Sequence, residues 1–202
     1  MGRKPLKPKI PKRFVIGITG RILSGKNTVC EILKERGFHV IDVDIIGHKV
    51  LEIRKEEILK KISKDILDEN DKIDRKKLAQ IVFSDSMKLQ ILNKITHGTI
   101  KELVKLELVK DGFYCINAAL LFEIGLDELC DIIVFVETDD EKILERANKR
   151  GLSKEDVQKR LPFQKKLNDV KDLVDIIIYN NSTLEELKKE IEEKIFSIVK
   201  IR

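Results

Sequence analysis

Residues 17–28 read G-I-T-G-R-I-L-S-G-K-N-T, and within them G-x-x-x-x-G-K spans Gly20 to Lys26. That spacing suits phosphate chemistry. Gly20 and Gly25 let the backbone wrap an anion with successive N–H groups pointing inward. Lys26 reaches the β- and γ-phosphates, and a helix starting there adds partial positive charge. Leu23, Ser24 and Thr28 complete the loop, with Thr28 either bonding an α-phosphate or capping the helix. Asn27 stands where a hydroxyl residue ordinarily holds Mg²⁺. Its amide carbonyl is a ligand type that a hard cation accepts, so the ion is expected on substrate phosphates, water and Asn27. A plain glycine turn beside a solvated lysine has the same spelling. The apolar strand before the loop and the helical stretch after it favour phosphate.

A second constellation follows at V40-I-D-V-D-I-I-G-H48. Alternation puts Asp42 and Asp44 on one face of an extended segment. A carboxylate at a strand's end, beside a phosphate loop, can take the proton of a hydroxyl that attacks phosphorus. Helix capping is the competing role for Asp44. Arg146 and Arg150 lie four apart on a helical stretch and so share a face. They either clamp phosphate under a closing lid or form a solvated face with Glu141 and Glu145.

These residues need a scaffold. Apolar runs at 14–18, 38–43, 113–117, 131–136 and 174–178 predict strands of a parallel sheet covered on both faces. Helical stretches at 27–36, 120–129, 139–149 and 183–200 follow four of the runs. Thr138, and Ser182 with Thr183, read as helix starts. Residues 45–110 are too long for one crossover and hold helical segments at 45–64, 74–84 and 86–110. The alternation predicts a doubly wound α/β fold with a helical insertion.

The chain has 202 residues and a net charge of +5. Six basic residues and no acid fall within residues 1–13, so the remaining body holds 34 basic against 35 acidic residues. The excess belongs to a Pro-rich, extended tail, and no specific nucleic-acid partner is expected. No apolar run approaches a membrane span. No signal peptide is evident. Cys30, Cys115 and Cys130 are odd in number and without CxxC spacing, which points to ordinary buried thiols in a reducing cytoplasm. The oligomeric state is open.

The constellations together resemble the dephospho-coenzyme A kinase family over about residues 14–185. The loop and V40-I-D-V-D-I-I-G-H48 are similar to its first two motifs. I73-D-R-K-K-L-A-Q-I-V-F83, L92-N-K-I-T-H97, L120-L-F-E123, L144-E-R-A-N-K-R-G-L-S153, R160-L-P-F-Q164 and I178-Y-N-N-S182 are similar to later ones. The resemblance implies a P-loop kinase core with a five-stranded parallel sheet. It assigns 14–44 and 111–202 to that core, 45–110 to a helical CoA-binding insertion and about 146–167 to a lid. It implies phosphorylation of the ribose 3′-hydroxyl of dephospho-CoA by ATP with Mg²⁺. Asp44 becomes the general base, and Lys26, Arg146 and Arg150 the catalytic cations. Thr19 and His97 are placed near the acceptor, and Asn180 and Asn181 near the adenine. Departures fall at Arg21, Leu23, Asn27, Asn117, Ala119 and Gly98. Arg21 and Leu23 strain the loop by about 1–3 kcal/mol wherever φ must be positive. Another P-loop kinase, or a non-catalytic nucleotide-binding member, is the alternative.

Overall fold

The computed structural model describes residues 13–153, 155, 157, 161, 164 and 166–199. Residues 1–12 of the tail lie outside the described residues, as does part of the expected lid, Arg160 included.

Each apolar run forms a strand: β1 (Arg13–Thr19), β2 (His39–Asp42), β3 (Gly112–Asn117), β4 (Ile132–Glu137) and β5 (Ile176–Tyr179). They pair in parallel in the order β2-β3-β1-β4-β5. The runs are apolar at nearly every position because both faces are covered. On one face Ile16, Ile18, Cys115, Val134 and Val136 meet helix α1 (Lys26–Glu35) through Val29, Cys30 and Leu33. The C-terminal helix Leu184–Ile191 adds Leu187 and Ile191 there. On the other face Val15, Tyr114, Ile116 and Ile133 meet α2 (Val43–Ile53) and α5 (Ser86–Glu107) through Val43, Ile46, Val50, Ile100 and Val104. Full burial of one such side chain stabilises by about 1.5–3 kcal/mol. Helices α3 (Lys55–Lys61) and α4 (Arg75–Ser84) share a third cluster with the start of α5, centred on Ile58, Leu78, Val82 and Ile95.

Several boundaries differ from expectation, each for a local reason. The 45–64 stretch breaks at Arg54, which ends α2 and begins α3. The 120–129 stretch stops after the single turn α6 (Leu121–Ile124), because Gly125 turns left-handed at φ 74°. Helix α7 (Asp140–Lys149) starts after Asp139 rather than Thr138. The Thr138 side chain faces the phosphate loop instead. Thr183 does begin its helix, in a reciprocal capping bond with Glu186. The final stretch widens into a π-turn over Glu192–Phe196.

The order sets the place of chemistry. β1 is central, with β3 on one side and β4 on the other, so the Gly20–Lys26 loop leaves mid-sheet beside Asn117 and Glu137. Ligands of such sheets bind outside the carboxyl ends of the strands. Gly20 is confined there: at φ 140°, an added Cβ would stand 2.4 Å from the Val136 carbonyl oxygen. The neighbour is backbone and cannot rotate away. Gly20→Ala should therefore lower stability by at least about 1–3 kcal/mol from strain alone. Thermal unfolding checks this, and an unchanged melting temperature would contradict it.

Candidate active site

The phosphate loop is held from beneath. The Ser24 carbonyl, buried at its base, accepts from Thr138 Oγ1 at 2.9 Å, Asn180 Nδ2 at 2.8 Å and Arg146 Nη1 at 3.1 Å. Arg146 Nη1 also donates to Leu23 O at 3.0 Å, and Nη2 to Asn180 O at 2.7 Å. One guanidinium thus links the loop to the end of β5. Leu23 sits left-handed at φ 61°, whereas Arg21 does not. The strain anticipated for both falls on Leu23 alone. Its side chain, with Ile22, packs against Ile143, Ala147 and Leu152.

Arg21 points away from the loop's mouth. It bonds Asp140, Glu137 at 3.2 Å and the Thr138 carbonyl at 2.6 Å. This buried cation, partnered by two carboxylates and a carbonyl, ties the loop to the first turn of α7.

Lys26 lies folded against its own loop, donating to Gly20 O and Arg21 O, each at 2.9 Å. Burial lowers its pKa to about 8, and the nearby Asp44 charge opposes the fall. Carbonyls that hold an ammonium weakly would release it to a phosphate. Beside it, Asn27 Oδ1 accepts from Asn117 Nδ2 at 3.0 Å.

The two acids of the V-I-D-V-D segment divide their roles. Asp42, not Asp44, caps α2, its Oδ1 accepting from Asp44 N at 2.9 Å and Ile45 N at 3.3 Å. Asp44, one residue into the helix, keeps its carboxylate exposed to the cleft.

That cleft measures about 860 Å³ and has Lys26, Asn27, Thr28, Asp44, Arg146 and Arg150 on its wall. Leu23, Gly25, Asn117 and Asn180 border it as well. Glu145 pairs with Lys142 and Lys149, whose bonds hold its pKa down to about 2. No carboxylate pairs with Arg146 or Arg150 among the described residues. The face shared with Glu141 and Glu145 therefore does not neutralise them. Burial lowers the Arg146 pKa; Glu145 opposes this and Arg150 adds to it.

Thr19, Gly20, Ser24, Asn181 and His97 stand off this wall, whereas Asn180 borders it. Thr19, Gly20 and Ser24 are buried behind the loop. Asn181 Oδ1 accepts from Asp139 N at 2.9 Å, and the Asn180 amide is held by the loop, so both asparagines brace the site. His97 borders a second groove of about 230 Å³ between α2 and α5, which shares Asp44, Ala119 and Leu120 with the cleft. Its Nδ1 donates to Glu123 O at 3.1 Å, since a carbonyl only accepts. Burial lowers its pKa, and that bond opposes the shift. Sequence reasoning missed Gln164, whose Oε1 accepts from Ile22 N at 2.8 Å, and the anchoring by Thr138. A polar residue ending an apolar strand was the available signal for Thr138.

A profile of the dephospho-CoA kinase family matches residues 14–186. The chain belongs to the dephospho-CoA kinase family. The dephospho-CoA kinase of Borreliella burgdorferi is 36% identical, with 98% of this chain and 97% of that protein covered. That of Aquifex aeolicus is 38% identical, with 88% and 94% covered. Among solved structures, the dephospho-CoA kinase from Campylobacter jejuni superposes with a TM-score of 0.65 at 28% identity, covering 93% of this chain and 98% of that one. A Thermus thermophilus protein reaches 0.77 at 29% identity, with 93% and 96% covered. The fold is the P-loop kinase fold, with a five-stranded parallel sheet.

The lowered Lys26 pKa has a measurable consequence for this family member. A bound phosphate needs the ammonium, so ligand stabilises the protonated form. Above about pH 8 the free protein has lost that proton, and binding must restore it. The dissociation constant for ADP should therefore rise with pH above about 8, approaching tenfold per unit. Lys26→Arg, permanently charged, should flatten the profile. Calorimetric titrations from pH 7 to 9.5 decide, and a flat wild-type profile would contradict the assignment.

Proposed function

We infer that this chain transfers the γ-phosphoryl group of ATP to the ribose 3′-hydroxyl of dephospho-CoA, the last step of coenzyme A synthesis. The observation that carries the residue assignments is the junction at Asp44. There a cleft bordered by Lys26, Arg146 and Arg150 joins the groove between α2 and α5. A donor in the cleft and an acceptor in the groove would meet beside an exposed carboxylate.

In this reading Asp44 takes the proton of the 3′-hydroxyl as that oxygen attacks the γ-phosphorus. Lys26 turns from the loop carbonyls to the transferring phosphates. Arg150, and Arg146 in part, offset charge on the equatorial oxygens. The loop amides from Gly20 to Thr28 cradle the donor's remaining phosphates. Residues 14–44 and 111–202 form the nucleotide-binding core, 45–110 takes the acceptor, and 146–167 is the lid. The Asn180–Asn181 segment lies at the cleft's edge, where the nucleoside end of ATP would rest.

Mg²⁺ is the expected companion of ATP. The side chains suit an ion carried by substrate. No group of three or more His, Cys, Asp or Glu residues is arranged for a metal among the described residues. Asn27 Oδ1 accepts one bond from Asn117 and keeps a second lone pair that could face the ion. Such a site supplies one or two ligands, with phosphates and water completing the shell. When bound, the ion neutralises phosphate charge. No helix among the described residues is long and apolar enough to cross a membrane. The odd number of cysteines and their lack of CxxC spacing support a reducing cytoplasmic setting.

ATP plus dephospho-CoA is the direct test. Wild-type protein should yield coenzyme A. Asp44→Asn should lower kcat by about 10²–10⁴-fold, and Lys26→Ala by about 10²-fold or more. Equal turnover by wild type and Asp44→Asn would remove Asp44 as the base. Turnover of a nucleotide acceptor in place of dephospho-CoA would refute the acceptor.

A further inference from the structure

One residue of the phosphate loop reaches α7 twice. Leu23 O accepts from Arg146 Nη1 at 3.0 Å. The Leu23 side chain packs with Ile22 and Leu152 against Ile143 and Ala147. Ile143 and Ala147 lie four apart and so share a face of α7. Arg146 stands beside them on the same helix and extends over the loop to Ser24 O and Asn180 O.

Leu23 holds this position against its own backbone. Its φ of 61° is left-handed, a region that glycine enters freely and that a Cβ disfavours. Strained residues persist only where their surroundings over-determine them, and they cluster at active sites. Here the surroundings are the apolar face of α7 and one of its arginines.

These contacts fix the guanidinium. Three of its five N–H groups go to the carbonyls of Leu23, Ser24 and Asn180. The remainder are left for an anion in the cleft that Arg146 borders. The packing of Leu23 on Ile143 and Ala147 sets how near α7 comes to the loop, and so where those donors lie. Phosphate meets the same stretch from the other side. A planar trans peptide points its C=O and N–H in opposite directions. Ser24 O, held by Arg146, therefore aims Gly25 N–H away from the guanidinium. A phosphate that takes Gly25 N–H loads the very peptide that grips Arg146.

We propose that Leu23 is a positioning residue: it couples the seating of donor phosphates in the loop to the placement of Arg146 on α7. The assignment rests on the reading of Arg146 as a cation for the transferring phosphoryl group.

A double-mutant cycle and hydrogen exchange test it. Leu23→Gly should lower kcat with ATP and dephospho-CoA by about tenfold to a hundredfold, as small misplacements at a reacting centre do. The same change should alter the Kd for ADP by less than about threefold, because the loop amides remain. In the Arg146→Ala background it should cost less than about twofold further. Leu23→Met, which keeps the apolar volume, should retain most of the wild-type kcat. Leu152→Ala, which trims the cluster from outside the loop, should lower kcat as Leu23→Gly does. ADP should slow amide exchange across α7 in wild type and much less so in Leu23→Gly. Fully independent effects of Leu23→Gly and Arg146→Ala would overturn the proposal, as would equal protection of α7 in wild type and Leu23→Gly. An undiminished kcat in Arg146→Ala would refute the reading of Arg146 itself, and the proposal with it.

Discussion

The site depends on one carbonyl oxygen. Ser24 O, at the base of the phosphate loop, gathers donors from Thr138 at the end of β4, Asn180 at the end of β5 and Arg146 on α7. Each bond alone contributes about 0.5–1.5 kcal/mol. Their joint effect is geometric. A loop whose N–H groups must converge on phosphate needs its carbonyls turned outward and held. The sheet supplies the holders, because parallel pairing brings the ends of β1, β4 and β5 to one edge. Gly20 and Gly25 then follow as requirements. A Cβ on Gly25 would come within 2.0 Å of the Asn180 amide that makes one of these bonds.

The same anchoring explains how the loop tolerates Arg21 and Leu23. Arg21 turns outward to Glu137, Asp140 and Thr138 O, so its bulk never enters the phosphate space. Leu23 carries the left-handed strain, which costs about 1–2 kcal/mol in a residue with a Cβ. Arg146 holds its carbonyl, and its side chain joins a cluster with Ile143 and Ala147. Both residues attach the loop to α7, the helix that leads into the expected lid. Loop and helix here are one packed unit, where glycines would have left them independent.

Legibility followed the physics that acts locally. All five strands were readable, because burial on both faces leaves a continuous apolar signature. Arg146 on α7 and Arg150, which caps the helix's C-terminus, were readable from their four-residue spacing. Asp44 in the cleft was readable, but its freedom from capping was not. Asp42 and Asp44 both suit a cap, and the choice turns on where α2 begins, a matter of one residue. Likewise nothing local marks Asn180 as a brace. Its side chain reaches Ser24, 156 positions away in sequence. Pairings at such distance arise from strand order, and strand order has no spelling in a single chain.

Charge obeys the same division between local and global. The body is nearly neutral, yet ATP and dephospho-CoA are both polyanions. Attraction spread over the surface would act at long range and be screened within about 8–10 Å at ordinary salt. Cations concentrated where water is scarce are screened less. Burial that pushes Lys26 down to about 8 is the cost of that placement. Asp44 limits the fall, so the residue read as the base also keeps the lysine charged near neutral pH. Removing the Asp44 charge would then disturb two functions at once. It would take away the proton acceptor proposed for the 3′-hydroxyl and weaken the cation proposed for the donor phosphates.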